Sequence, residues 1–577
     1  METTIDPIRN DLSQPKPKRR FEFSRTIGIA EILIAAALAV GLALIFQTIL
    51  ASSAAYDETA YLNVASTWYR TGKQESITRM GSPLTFWKLQ QVPTLWFLDA
   101  LNLSAWVDDP IEHQSQVLTA IRAGSTWLWV VAFAITTLWA RLLYGRAAAA
   151  AAAWLVALGP NLIAHASIAT MEIPVTAAIA ATTLLYWRYL QDRDRRFLWG
   201  SAAVAGIAFS CKFTTAVFVP ILFLVDSIDR AFDHKRRTRD SAVEIVKNSI
   251  LYIAIFLLSN VLITGFSRVP LSEVRGRHPF VEARLGARAA AIVDRLVEIP
   301  LPSDWVGFAT QINHQRTGGP SYLLGERRMH GWRSYYIIAF LVKTPPAILV
   351  LLIARFFFNP EGSSRRKDRI LPMIALLFLA IASAGSTRNY GVRYLLPVAP
   401  LTIVWLSGLA ASNRLGRSAL IAAIVGVAVS TASIHPYELS YFNILAGGAE
   451  GGKTILSDSN LDWGQGLRSL AKLQSEYPEF RDITIYYFGD VEPRRYKVFG
   501  IAYVIRATSL PRDLPAALSA KTRYVGVSRS LAYGPWGPEG YFDRLKNIKP
   551  VVVSPDHTFA IYLTEDLRRR PSEVEKR

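Results

Sequence analysis

Ten long apolar blocks constrain this 577-residue chain more than any other feature. The first, Ile27 to Leu50, is long enough to cross a hydrocarbon core of roughly 30 Å, which takes about 20 helical residues. Nine more lie near 122–142, 147–164, 173–189, 198–226, 248–267, 334–357, 370–387, 394–411 and 417–434. With 51% hydrophobic residues gathered in blocks rather than spread periodically, the chain reads as a mainly α-helical polytopic membrane protein. The first block follows Lys16, Lys18, Arg19 and Arg20 and ends in Ala51-Ser52-Ser53-Ala54-Ala55, which has the look of a signal cleavage site. Its apolar core exceeds the ~7–15 residues of a signal peptide, so an uncleaved anchor is expected.

The net charge of +19 would suggest a nucleic-acid or acidic partner in a soluble protein. Here the cations fall in short turns between blocks, the positive-inside pattern, and no nucleic-acid partner is expected. Arg141 and Arg146 mark one cytoplasmic turn, and Arg188, Arg193, Arg195 and Arg196 a second. Lys235, Arg236, Arg237 and Arg239 mark a third, Arg365, Arg366, Lys367 and Arg369 a fourth, and Arg414 and Arg417 the last. The N-terminus is then inside, and both flanks of the 198–226 block are cytoplasmic. At about 29 residues that block is too short for two full spans, so it reads as two half-length helices folded as a hairpin, with Ser210 to Thr214 near the outer apex. About 11 membrane segments result, N-in and C-out. The expected domains are a basic cytoplasmic stretch at 1–26, a membrane domain at 27–435 with outer loops 51–120 and 268–333, and an extracytoplasmic domain at 436–577.

Within the second loop, Phe280 to Ile299 sets Arg284, Arg288 and Arg295 at helical spacing among apolar residues. It reads either as a helix lying in the membrane interface or as an ordinary surface helix. The tail alternates strand-like runs, Thr454 to Leu456, Ile483 to Phe488, Tyr524 to Val527 and Phe559 to Leu563, with a helix over Gly464 to Leu473, the pattern of a small α/β domain. Cys211, the single cysteine, excludes an intrachain disulfide.

Few residues stand out as chemistry against this background. Asp57 and Glu58 sit just past the first span, where partial desolvation raises a carboxyl group's proton affinity towards the range of a general base, although such a pair is also an ordinary solvated loop charge. Tyr61 follows on the same loop. His165 and Glu172 share a very short second outer loop, where Glu172 could simply complement a helix dipole. Lys212, an ionisable group inside an apolar block, is a functional candidate by default, as a lipid-phosphate ligand or as the structural partner of one of these acids. Arg388 and Arg393-Tyr394 bring cations and aromatic rings to the outer end of another span, suited to phosphate and sugar or to an interfacial belt. Asp458, Asn460 and Asp462 have a spacing similar to a calcium loop but lack its sixth-position Gly and twelfth-position Glu, so turn and capping roles are expected.

An acidic pair after the first span, a further acid after the third, Lys212 within Gly206-Ile-Ala-Phe-Ser-Cys-Lys-Phe-Thr214, and Arg393-Tyr-Leu-Leu-Pro397 together resemble the dolichyl-phosphate-mannose-protein mannosyltransferase-like enzymes of glycosyltransferase family 39. These belong to the membrane GT-C superfamily, with the lipid A aminoarabinose transferases. His435-Pro436-Tyr437 through Phe442-Asn443, and Ser457 to Gln465, resemble the bacterial branch with a C-terminal outer domain. The resemblance implies a GT-C fold in the plasma (bacterial inner) membrane, with the active site facing outward. It implies Asp57 as catalytic base with Glu58 beside it, Glu172 as the second loop acid, and Lys212 and Arg393 near the lipid phosphate. Glu172 stands where many relatives have Asp, and the inserted β domain of the eukaryotic enzymes is missing.

The implied reaction moves a sugar from a polyprenyl-phosphate donor to an acceptor hydroxyl on a protein, lipid or glycan, with inversion by single displacement; a double displacement would instead need a carboxylate nucleophile close to the anomeric carbon, and sequence gives no distances. A divalent metal bridging phosphate and acids stays open, and no metal-ligand set stands out. The competing reading is a transporter or lipid flippase, which would also carry broken helices and intramembrane charge. Against it stand the lack of an evident inverted repeat and the large outer regions.

Overall fold

The computed structural model describes residues 28–73, 77–78, 81–231, 239–273, 279–360, 365–507, 516 and 519–568. The basic N-terminal stretch 1–26 and the turn holding Lys235, Arg236 and Arg237 lie outside these residues. Among them, six helices are long and apolar enough to cross a membrane: Ile29–Ala51, Gln114–Tyr144, Val243–Ile263, Asp368–Gly385, Val392–Ala411 and Arg414–Ala432. Two broken pairs add to these. Arg146–Ala157 and Pro160–Ala166 bend by 61° and Tyr335–Lys343 and Pro346–Phe357 by 106°. In each pair the second helix opens on proline, which has no N–H to give to a preceding turn but suits the first helical position. The chain is a multi-pass membrane protein.

The helices Glu172–Asp192, Arg195–Cys211 and Thr215–Ala231 occupy the remaining expected segments, the first too polar and the other two, at 17 residues each, too short to qualify by length and hydropathy. The 198–226 block does break at Lys212, whose backbone is extended. Its helices exceed the expected half-length because Arg195 and Arg196 on one side and Arg230, paired with Asp226 at 3.1 Å, on the other are wound in as end turns. Close approach of Arg195–Cys211 to the neighbouring Arg239–Ile263 helix requires Gly206, where a Cβ would lie 2.5 Å from the Phe256 carbonyl oxygen.

The long loop after the first span is largely helical, with Tyr56–Thr71 and Thr85–Ala100 as its main elements. The long loop at 268–333 holds a two-stranded pairing of β1 (Arg268–Pro270) with β2 (Pro300–Pro302), the helical stretch Pro279–Val297, kinked at Gly286, and a hairpin of β3 (Ser321–Leu323) and β4 (Glu326–Arg328). Pro279–Val297 exposes Ile292 and Leu296, the apolar face expected of the helix read there.

Beyond the last span, β5 (Ile483–Phe488), β6 (Ile501–Ile505), β7 (Tyr524–Ser528), β8 (Val552–Val553) and β9 (Phe559–Leu563) form one sheet in the order β6-β5-β7-β9-β8. β5 runs parallel to both neighbours, and all six of its residues are buried, as a strand covered on both faces must be. Ile483, Ile485 and Tyr487 pack with Leu467, Leu470 and Leu473 of the helix Leu467–Glu476, while Tyr486 and Phe488 face Leu531 and Phe542, the alternation of an extended strand. Three expected strands are present. Thr454 to Leu456 is not a strand: it continues the helix Gly448–Gly452 as a turn, with Ile455 and Leu456 N–H groups bonded to the Gly452 carbonyl. β6 and β8, short edge strands, were not anticipated.

This C-terminal unit is tied to the end of the first span. Ser53 N–H donates to the Gln465 carbonyl at 2.9 Å and Tyr56 N–H to the Trp463 carbonyl at 2.7 Å. Ala54 N–H donates to the Tyr496 hydroxyl at 3.1 Å.

Candidate active site

Helix Tyr56–Thr71 begins where the backbone leaves that ladder, and its first turn separates Asp57 from Glu58. Neighbouring helical positions point about 100° apart, so two adjacent carboxylates face different surroundings. Asp57 lines a cavity of about 840 Å³. Glu58, 1% exposed, does not. It accepts from Arg122 Nε at 2.9 Å and Nη2 at 2.6 Å, from Ala55 N–H at 2.8 Å and from Ala169 N–H at 2.6 Å. Arg122 in turn donates to the carbonyls of Ser52 and Ser53. Glu58, expected beside Asp57 in catalysis, stays off the cavity wall and joins three chain segments through these bonds.

The cavity gathers Asp57, Tyr61, Glu172, Lys212, Arg388, Arg393 and Tyr394 from elements far apart in sequence. Glu172, at the first position of its helix, receives Lys212 Nζ at 2.9 Å and lies 3.5 Å from Arg393 Nη1. The same Arg393 nitrogen stands 3.4 Å from Asp57 Oδ2, so acids and cations alternate along one chain. The helix break makes this geometry: with its backbone extended, Lys212 leaves the helix axis and lays its ammonium 4.1 Å from the centre of the Tyr394 ring. The Arg393 guanidinium lies 4.0 Å from the centre of the Trp463 ring.

Burial raises the Asp57 carboxyl from its ordinary 3.8 to about 6; Arg393 opposes the rise, and Asp458 and Glu172 reinforce it. Burial, with Asp57 and Glu172 adding, also holds the Tyr61 hydroxyl well above its ordinary range, so it stays a neutral donor. Arg388 fixes its Nε on the Gly318 carbonyl at 2.7 Å. His165 is buried within electrostatic reach of Glu172 but does not line the cavity.

Asp458 reaches the cavity although a turn or capping role was expected from its spacing. Its backbone takes a positive φ of 57°, and its carboxylate accepts from Trp536 Nε1 at 2.9 Å. Trp463, Phe488 and Trp536 join it from the tail. The only signal in sequence was the lone Trp536 inside the Gly/Pro-rich turn Gly534 to Pro538. Val217, Phe378 and Ile381, from two membrane helices, give the cavity an apolar flank. Among the described residues, no three His, Cys, Asp or Glu side chains are grouped to hold a metal ion.

His165, Glu172 and Lys212, two of them joined in this charge chain, fall in one continuous stretch of sequence. Residues 114–263 match the family model for dolichyl-phosphate-mannose-protein mannosyltransferase. The resemblance read from the sequence therefore holds over that span, about a quarter of the chain. Compared by sequence with curated proteins, the chain matches none. Among solved structures it is similar to ArnT from Cupriavidus metallidurans bound to undecaprenyl phosphate, at 13% identity and a TM-score of 0.45, covering 93% of this chain and 99% of that one. It is also similar to the arabinosyltransferase EmbB from Mycobacterium smegmatis, at 13% identity and 0.36, covering 69% and 32%. A third is the oligosaccharyltransferase AglB from Archaeoglobus fulgidus in complex with an inhibitory peptide and a dolichol-phosphate, at 12% identity and 0.34, covering 92% and 74%.

Proposed function

We propose that the chain transfers a sugar from a polyprenyl-phosphate donor to an acceptor hydroxyl at the outer face of the bacterial inner membrane. Residues 27–435 form the catalytic membrane domain and 436–577 an extracytoplasmic domain that completes it. The observation that carries this reading is the alternating chain Asp57, Arg393, Glu172, Lys212 at the wall of a cavity with an apolar flank.

In the proposed step, Asp57 accepts the proton of the acceptor hydroxyl as its oxygen bonds to the anomeric carbon. The bond from that carbon to the phosphate oxygen breaks, and polyprenyl phosphate leaves with the electron pair, inverting the centre. A carboxyl group lifted to about 6 is ionised at neutral pH yet basic enough to take a proton in the transition state. Lys212 and Arg393 each keep N–H groups beyond those engaged by Glu172, and these stabilise the charge on the leaving phosphate. Glu172 holds both cations in position beforehand, which also removes it as a nucleophile and favours a single displacement. The prenyl chain lies along Val217, Phe378 and Ile381.

The test is to give the purified protein a radiolabelled polyprenyl-phosphate hexose and follow release of polyprenyl phosphate. Release that requires an acceptor supports the transferase. Movement of the intact donor between leaflets of a vesicle without release would make the chain a flippase instead.

A further inference from the structure

The outer domain contributes a wall to the cavity that the proposed step does not use. Phe488, at the end of β5, stacks on Tyr56 at 5.2 Å and 7° between planes, and Trp536 stacks on Phe488 at 5.7 Å and 8°. Trp536 is half-buried, lines the cavity and points its Nε1 at Asp458 Oδ1, 2.9 Å away. Asp458 is buried, holds a left-handed backbone conformation and lies within electrostatic reach of both Asp57 and Arg393. A non-glycine residue in that conformation beside a cavity is the kind of local strain that collects at binding sites. Nothing in the proposed donor chemistry calls for it.

We infer that Asp458 and Trp536, backed by Phe488 and Tyr56, form the acceptor subsite, and that the acceptor presents there a neutral, hydroxyl-bearing sugar ring. The inference rests on the transferase reading above and names its acceptor class. Position is the first argument. Tyr56 adjoins Asp57, so a molecule lying against this wall has its hydroxyl beside the proposed base, while the apolar flank that suits a prenyl chain comes from other elements, the helices Thr215–Ala231 and Arg365–Gly385.

Chemistry is the second. A pyranose ring offers a face of C–H groups and a rim of hydroxyls; aromatic rings match the face, and a carboxylate accepts from the rim. Charge is the third. Asp57, Asp458 and Glu172 all act on the Arg393 guanidinium, so Asp458 has an anionic neighbour in Asp57 and shares this cation with two further carboxylates. A phosphate placed against Asp458 would meet like charge, whereas a hydroxyl meets an acceptor.

The detergent-solubilised full-length protein is supplied with a polyprenyl-phosphate hexose and, separately, a p-nitrophenyl hexoside, the 6-phosphate of that hexoside, or a serine- and threonine-rich peptide. The neutral hexoside is expected to be the best acceptor by kcat/KM, by about tenfold or more. Asp458→Asn, which keeps shape while weakening one hydrogen bond, and Trp536→Phe, which keeps an aromatic face but removes the Nε1 donor, are each expected to raise the KM for the hexoside about tenfold more than the KM for the donor. Preference for the phosphorylated sugar or for the peptide overturns the inference, as does an equal rise in both KM values. Failure of the unaltered protein to release polyprenyl phosphate under any of these conditions sinks the transferase reading itself, a distinct result.

Discussion

Asp57→Asn separates chemistry from stability at one atom. Relative to an ordinary 3.8, a carboxyl lifted to about 6 has its ionised form disfavoured in the fold by roughly 3 kcal/mol, at about 1.36 kcal/mol per tenfold change in proton affinity. Because the native state binds this proton more tightly than the unfolded chain, the stabilisation is fully present below pH 4 and is lost as the pH rises from about 4 to about 6. Asparagine keeps the shape and removes the buried charge. It also gives up the 3.4 Å contact with Arg393, which retains Glu172 as its partner. The variant is therefore expected to melt at or above the parent temperature at pH 7.5, with the advantage gone by pH 4, while transfer falls by about 10²–10⁴. In the parent protein, kcat/KM for transfer should fall with unit slope below pH 6, roughly tenfold by pH 5. Thermal denaturation in detergent across pH, beside product release at the same pH values, makes both measurements. A variant that keeps full transfer refutes the base. One that loses transfer but melts far lower at neutral pH refutes the account of the charge.

Glu58→Gln should behave in the opposite way to its neighbour, costing about 3–5 kcal/mol because Arg122 keeps a buried charge with no carboxylate opposite. The melting temperature reports it, and adding Arg122→Met should recover much of the loss; an unchanged melt in the single variant removes the bracing role. Lys212→Met should weaken product inhibition by polyprenyl phosphate about tenfold or more, measured by titration, and unaltered inhibition takes Lys212 out of phosphate binding. In a Cys211→Ser background, Thr214→Cys should react with a membrane-impermeant maleimide added from outside intact cells; reaction from the cytoplasmic side alone reverses the proposed orientation.

Periodicity and charge along the chain were enough to reveal the apolar blocks, the helix break at Lys212, most of the C-terminal sheet and the isolated acids and cations. These are local properties: a span declares itself by some 20 apolar residues, and a charge inside one declares itself by its cost. Tertiary structure decided which charges meet. Nothing in Tyr56-Asp57-Glu58 distinguishes the carboxylate that opens on the cavity from the one that braces the fold, because the difference is one step around a helix and the identity of a partner 64 residues away. Asp458 reads as a turn residue until β5 and the Trp536 turn close over it. Asp57 and Arg393 stand 336 residues apart in the chain and 3.4 Å apart in space. A single sequence carries the side chains' chemistry but not their distances, and burial, proton affinity and pairing are all set by distance.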